Sequence, residues 1–249
     1  MTETIFKDMN AFEQGYVPKD FIHREGELKE IAFCLEPAFK GYQATSMKIH
    51  GEPATGKTTA VKIVFDEVKE KSSVACAYVN SSIYDTKFSI FEKIQRSLGL
   101  SRNANRLDAV YCEIFNKLSR NEKSLIVALD DVNFLDAQTL NEVLLRILKA
   151  NEEFEVSASV IAISSSPAFS LHLRPQVASV FSPREIFFRP YTLDEMYDVL
   201  KQRCWYGFIP EAASDGIIRK IAAEAHKKKD LRLGIRLLKE SGVIAERES

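Results

Sequence analysis

Apolar positions follow two alternating rhythms up to about residue 190 and a single rhythm after it. Short, β-branched runs read as buried strands at Met47–His50, at Val74–Val79 ending on Asn80, at Leu125–Leu129, at Ser159–Ile163 and at Ile186–Phe188. Between them, apolar residues recur at helical spacing over 27–40, Lys57–Lys71, Phe88–Leu98, Leu107–Leu118 and 137–149. In the second of these, Val61, Ile63, Val64 and Val68 share the apolar side. Strands alternating with helices predict an α/β fold with a doubly wound parallel sheet. After Pro190 only helical spacing remains, over 192–206, 210–225 and 230–245. The chain is therefore expected to be an α/β core over 1–190, opening with a loosely held polar arm over 1–16, followed by an all-helical lid over 191–249. Trp205, Tyr206 and Phe208 are assigned to the lid core, and Lys227–Lys229 to a solvated loop.

Composition changes this picture little. Hydrophobic residues make up 45% and charged residues 28%, as in an ordinary globular protein. The net charge of −1 gives no bulk attraction to a polyanion, so any nucleic-acid contact has to come from a local basic face. The four cysteines, Cys34, Cys76, Cys112 and Cys204, form no CxxC pair, which argues against a disulfide framework or a zinc site and for a reducing cytoplasm. The four histidines show no metal-ligand spacing. No apolar run approaches the ~18 residues of a membrane span, so no membrane partner is expected.

The chemistry enters at Gly51-Glu52-Pro53-Ala54-Thr55-Gly56-Lys57-Thr58, a full match to GxxxxGK[ST] placed between a strand and a helix. Backbone N–H groups of such a loop turn inward around phosphate, and the following helix adds its N-terminal dipole. Lys57 is expected on the β- and γ-phosphates of ATP or ADP, and the Thr58 hydroxyl on Mg²⁺; Thr59 follows in the same turn. The apolar run 125–129 ends in Asp130-Asp131, at the carboxyl end of a buried strand where open α/β sheets bind ligands. Asp130 is expected to hold Mg²⁺ through water, and Asp131 to orient or deprotonate the attacking water. Asp136 reads as a helix cap. These features predict a P-loop ATPase.

Several stretches resemble the AAA+ initiator ATPases of archaeal replication, related to the origin recognition complex and the cell-division-cycle loader. Tyr16-Val17-Pro18 followed by His23-Arg24-Glu25 is similar to the family's N-terminal signature. Val79-Asn80 is similar to the strand that precedes its extra helical element, and Ala128–Leu135 to its magnesium-binding strand. Phe188-Arg189-Pro190-Tyr191-Thr192 resembles the junction into the lid, and Lys229-Asp230-Leu231-Arg232 the second sensor. The resemblance implies that Val17, Pro18 and Tyr191 line the adenine, that Arg232 reaches the γ-phosphate, and that Ser165 stands at the first sensor. It also implies DNA, other initiator subunits and the replicative helicase as partners, in the cytoplasm on the nucleoid. Arg96, Arg102 and Arg106 fall in the element that touches DNA in relatives, and contact by this chain alone is expected to be weak.

The chain departs from the family pattern at four points. Asp131 stands where glutamate is usual, one methylene further from the water. Ser165 replaces an asparagine. In Leu173-Arg174-Pro175-Gln176-Val177 the family's arginine position is Gln176, with Arg174 two places earlier. The family's winged-helix domain would begin where this chain stops, at Ser249. Two other readings fit the same residues: a signalling, defence or transposition-helper NTPase that binds protein, and a nucleotide-holding subunit without hydrolysis.

Overall fold

Continuous apolar runs become central strands here because both faces of the sheet are covered. The computed structural model describes residues 4–101, 105–166 and 171–248. Five strands, β1 (Met47–His50), β2 (Ala75–Asn80), β3 (Leu125–Asp130), β4 (Ala158–Ser164) and β5 (Arg184–Phe187), form one parallel sheet in the order β2-β3-β4-β1-β5. Every residue of β3 and β4 is buried, as strands flanked by neighbours and covered twice must be. The fifth strand begins two residues before the apolar run that announces it.

Helices α1 (Glu25–Phe39), α2 (Lys57–Lys71), α3 (Lys87–Ser97), α4 (Leu107–Arg120), α5 (Ala137–Leu148) and the short α6 (Ala150–Phe154) and α7 (Pro175–Ala178) join these strands. The last two are too short to carry a readable period. One sheet face packs Val79, Val127, Leu129 and Val160 against Ile90, Phe91 and Ile94 of α3, Ile114 and Phe115 of α4, and Val143 and Leu144 of α5. Local signals set the helix starts. Thr86 and Ser89 cap α3 reciprocally, and the Asp136 carboxylate accepts the Thr139 N–H at 2.9 Å, as expected for a helix cap.

Residues Gly26–Gly51 and Lys57–Phe188 make up this α/β unit. The second unit comprises Met1–Glu25, Glu52–Gly56 and Arg189–Ser249. Its helices α8 (Leu193–Gly207), α9 (Asp215–Lys227) and α10 (Leu231–Glu248) pack on one another. A capping box of Thr192 and Glu195 starts α8. Helix α9 begins five residues later than its periodicity suggests, at the Ser214 cap.

Two expectations fail in this unit. Of the polar stretch expected to be a loose arm, the described residues 4–16 are held: Phe6 and Phe12 are buried against Phe208, and the Ile209 N–H donates to the Ile5 carbonyl at 2.9 Å. Two well-placed aromatics anchor an otherwise polar segment, which average polarity hides. Trp205 is not core: it is 73% exposed, with the Lys7 ammonium 5.9 Å from its ring. Helical phase turns Cys204 and Phe208 inward and leaves Trp205 outside.

Candidate functional site

One cluster of candidate residues lies in the α/β unit. β3 carries Asp130 to the carboxyl edge of the sheet, paired in register with Asn80. Asp130 is 2% exposed, and both its carboxylate oxygens accept hydrogen bonds. Oδ2 accepts the Thr58 hydroxyl at 2.6 Å and the Tyr78 hydroxyl at 2.6 Å, while Oδ1 accepts the Asp131 N–H at 2.9 Å. Burial pushes the Tyr78 phenol up, and the neighbouring Asp130 charge adds to that, so Tyr78 stays a proton donor. Asp131 follows in the left-handed region (φ 56°), a conformation Asp tolerates better than most residues, and opens the tight turn Val132–Phe134.

Lys57, at the start of α2, is buried, and its ammonium donates to the Gly51 carbonyl at 3.0 Å. Only glycine fits at position 51, because a Cβ there would lie 2.3 Å from the Phe188 carbonyl oxygen. Thr59 is half-buried in the first turn of α2. Ser165 is half-buried after β4, and its backbone N–H and hydroxyl both donate to Asn133 Oδ1 at 3.2 Å. Ser165 and Asn133 therefore form a pair at the end of β4.

Glu52–Gly56, within the loop Gly51–Thr58, belongs to the helical unit. The Thr55 side chain is buried and donates to the Glu52 carbonyl at 2.9 Å. Arg24, also buried, donates from Nε to the Thr55 carbonyl at 3.0 Å, and from its other nitrogens to the carbonyls of His23 (3.0 Å) and Arg189 (2.7 Å). Its guanidinium lies 3.8 Å over the Tyr191 ring. Gly56 has φ 94°, and a Cβ there would meet Phe21 Cζ at 2.9 Å and the Tyr191 hydroxyl at 3.0 Å. Ala54 takes φ 59°, and Pro53 is exposed. Pro18 is buried and Val17 half-buried, while Lys229 Nζ reaches Glu52 Oε1 at 3.4 Å. Thus Lys229 is tied to the phosphate loop, and Lys227 is the last residue of α9 rather than loop. Arg232 is exposed in the first turn of α10, its N–H held by Asp230 Oδ1 at 2.9 Å.

Sequence reasoning missed Tyr78 and Asn133, and it quoted Arg24 without giving it a role. A phenol inside an otherwise apolar buried strand was a usable signal for Tyr78, because a buried Tyr hydroxyl needs a partner. No local signal pointed Arg24 at a loop 31 residues away.

The oxygen-only donor set of Asp130 and Thr58 fits Mg²⁺, which binds through one or two protein oxygens and keeps phosphate and water as its other ligands. Among the described residues no group of three His, Cys, Asp or Glu side chains could hold a metal by itself. No helix among them is long and apolar enough to cross a membrane. Of the arginines proposed to meet DNA, Arg96 is paired with Glu92 at 2.9 Å, Arg106 is exposed at the start of α4, and Arg102 lies outside the described residues. Arg174 and Gln176 are both exposed.

Comparison with known proteins shows the family. The AAA ATPase domain model matches residues 20–161, and the Cdc6 AAA+ ATPase-type lid domain model matches 197–249. The chain is 37% identical to ORC1-type DNA replication protein 2 of Methanothermobacter thermautotrophicus, over 99% of its own length and 67% of the relative's. It is also 38% identical to the protein of that name from Methanosarcina acetivorans, over 98% and 67%. The structure of the Aeropyrum pernix ORC1 protein in complex with DNA superposes with a TM-score of 0.88 at 28% identity, covering 100% of this chain and 67% of that one.

Proposed function

The chain belongs to the AAA ATPase family and, within it, to the ORC1-type DNA replication proteins, and on that footing we propose that it is an ATP-driven switch whose slow hydrolysis resets replication initiation. The observation that carries this reading is the 2.6 Å hydrogen bond between Thr58 and Asp130, which brings the loop hydroxyl and the strand-end carboxylate to one point. Gly51–Thr58 binds the phosphates of ATP or ADP through backbone N–H groups, and Lys57 exchanges its Gly51 carbonyl partner for phosphate oxygens. Thr58 and Asp130 would hold Mg²⁺, which would supply positive charge against the phosphates. Asp131 orients the attacking water, Ser165 takes part through its pair with Asn133, and Arg232 supplies a cation to the γ-phosphate. Val17, Pro18 and Tyr191 contribute to the adenine side.

The two nucleotide states then differ in affinity for DNA, for other initiator subunits or for the replicative helicase, in the cytoplasm on the nucleoid. With a net charge of −1, DNA binding by this chain alone is weak and shallow in its salt dependence. The test is ATP turnover at saturating Mg²⁺ with and without duplex DNA. Measurable turnover, lost in Asp131→Asn while ATP still binds, supports the switch. ATP binding without turnover under any of these conditions would replace it with a nucleotide-holding subunit.

A further inference from the structure

We infer that Arg24 is a positioning residue for nucleotide binding, acting on the posture of the phosphate loop without touching the phosphates. The inference rests on the reading that Gly51–Thr58 binds phosphate. Arg24 is one of the largest fully buried side chains of the protein, and it contacts main chain at three separated points of the sequence. Its planar fork suits that task, because Nε and the two terminal nitrogens reach the Thr55, His23 and Arg189 carbonyls together. The stack on Tyr191 fixes the plane of the fork.

The consequence lies in the peptide unit between Thr55 and Gly56. In a trans peptide the carbonyl and the N–H of one unit point in opposite directions, and the described chain contains no cis peptide bond. Holding the Thr55 carbonyl at 3.0 Å from Arg24 therefore aims the Gly56 N–H away from Arg24. A flipped unit would present the carbonyl dipole to an incoming phosphate and remove a donor from the loop. Gly56 makes such a flip easy, since glycine populates positive and negative φ with similar ease. Phe21 and the Tyr191 hydroxyl occupy the space a Cβ would need there, so the residue cannot be stiffened by substitution. Arg24 supplies from outside the restraint that Gly56 lacks. The Thr55 hydroxyl, bonded to the Glu52 carbonyl at 2.9 Å, turns a second loop carbonyl in the same manner.

The test compares wild type, Arg24→Lys, Arg24→Met and Lys57→Ala for affinity to ADP and to adenosine, with the thermal midpoint of each. Arg24→Lys keeps the charge and loses the fork. ADP affinity is expected to fall by about tenfold or more in both Arg24 variants, the size of one lost charge-assisted hydrogen bond, with a smaller loss for adenosine. In the wild type, the Gly56 amide followed by NMR is expected to shift and gain exchange protection on adding ADP. That readout stands even where a variant fails to fold. Folded Arg24 variants that bind ADP as wild type does, an equal loss for adenosine, or an unmoved Gly56 amide would each overturn the inference. If Lys57→Ala also binds ADP normally, the phosphate-loop reading itself fails instead.

Discussion

The two ends of the phosphate loop are held by different chemistry. At the Lys57–Thr58 end the grip is side chain on side chain: Thr58 and Tyr78 hydroxyls converge on one oxygen of a buried carboxylate. At the Thr55–Gly56 end it is side chain on main chain: a guanidinium fork takes carbonyls, and aromatic groups take the space of a missing Cβ. The first arrangement gathers a carboxylate and two hydroxyl donors at the end of a strand. The second sets backbone direction and contributes no reacting group. Substitutions at the two ends should therefore fail in different assays.

The largest expected effect is at the first end. Lys57→Ala removes the charge proposed to meet the β- and γ-phosphates, and ATP affinity is expected to fall by about a hundredfold or more while the thermal midpoint stays near that of wild type. Calorimetric titration alongside thermal unfolding checks both, and unchanged affinity in a folded variant would remove the loop from the site.

Asp131→Asn comes next. It keeps the shape and removes the charge proposed to orient water, so turnover is expected to fall about tenfold or more with ATP affinity nearly intact. Steady-state ATPase rates and a nucleotide titration separate the two quantities. A parallel loss of affinity would place Asp131 in binding instead of chemistry.

Tyr78→Phe sharpens the comparison further, because it deletes one of the two hydroxyls on Asp130 Oδ2 and nothing at the other end. The Mg²⁺ concentration that half-saturates turnover is expected to move by roughly tenfold, the usual size for losing a group that orients a metal ligand. ADP affinity measured without Mg²⁺ is expected to stay unchanged. A shift in that metal-free affinity would show that the strand-end cluster also shapes the loop.

The smallest effect concerns pH. The Arg189 guanidinium beside Glu195 holds its carboxyl down at about 2, against an ordinary value of 4.5. A depressed carboxyl adds stability that is complete above its ordinary value and is lost as pH falls from about 4.5 towards 2. Because Glu195 also caps α8, the helical unit is expected to lose part of its stability in that window, by about 1 kcal/mol for the cap. Acid titration of wild type against Glu195→Gln, followed by far-UV circular dichroism, checks the sign. The variant should show a flatter profile between pH 4.5 and 2, and identical profiles would remove Glu195 from the acid response.

The sequence by itself determined the parts whose causes are local. Buried strands are continuous apolar runs, so all five were legible to within two residues at either end. The loop Gly51–Thr58 and the pair Asp130-Asp131 were legible as candidates because their residue types stand at adjacent positions of the chain. The cap at Asp136 was legible for the same reason, since a carboxylate three residues before an N–H has one geometry available. Only the tertiary structure decided what meets these groups from elsewhere in the chain. Tyr78 reaches Asp130 from a neighbouring strand, Asn133 takes both donors of Ser165 from the turn after β3, and Arg24 reaches Thr55 and Arg189 from before α1. The packing of Phe6 and Phe12 and the exposure of Trp205 likewise depend on the phase of one segment against another. Periodicity records which residues of a segment share a face, whereas the partner of that face is set by chain crossings that leave no trace in local spacing.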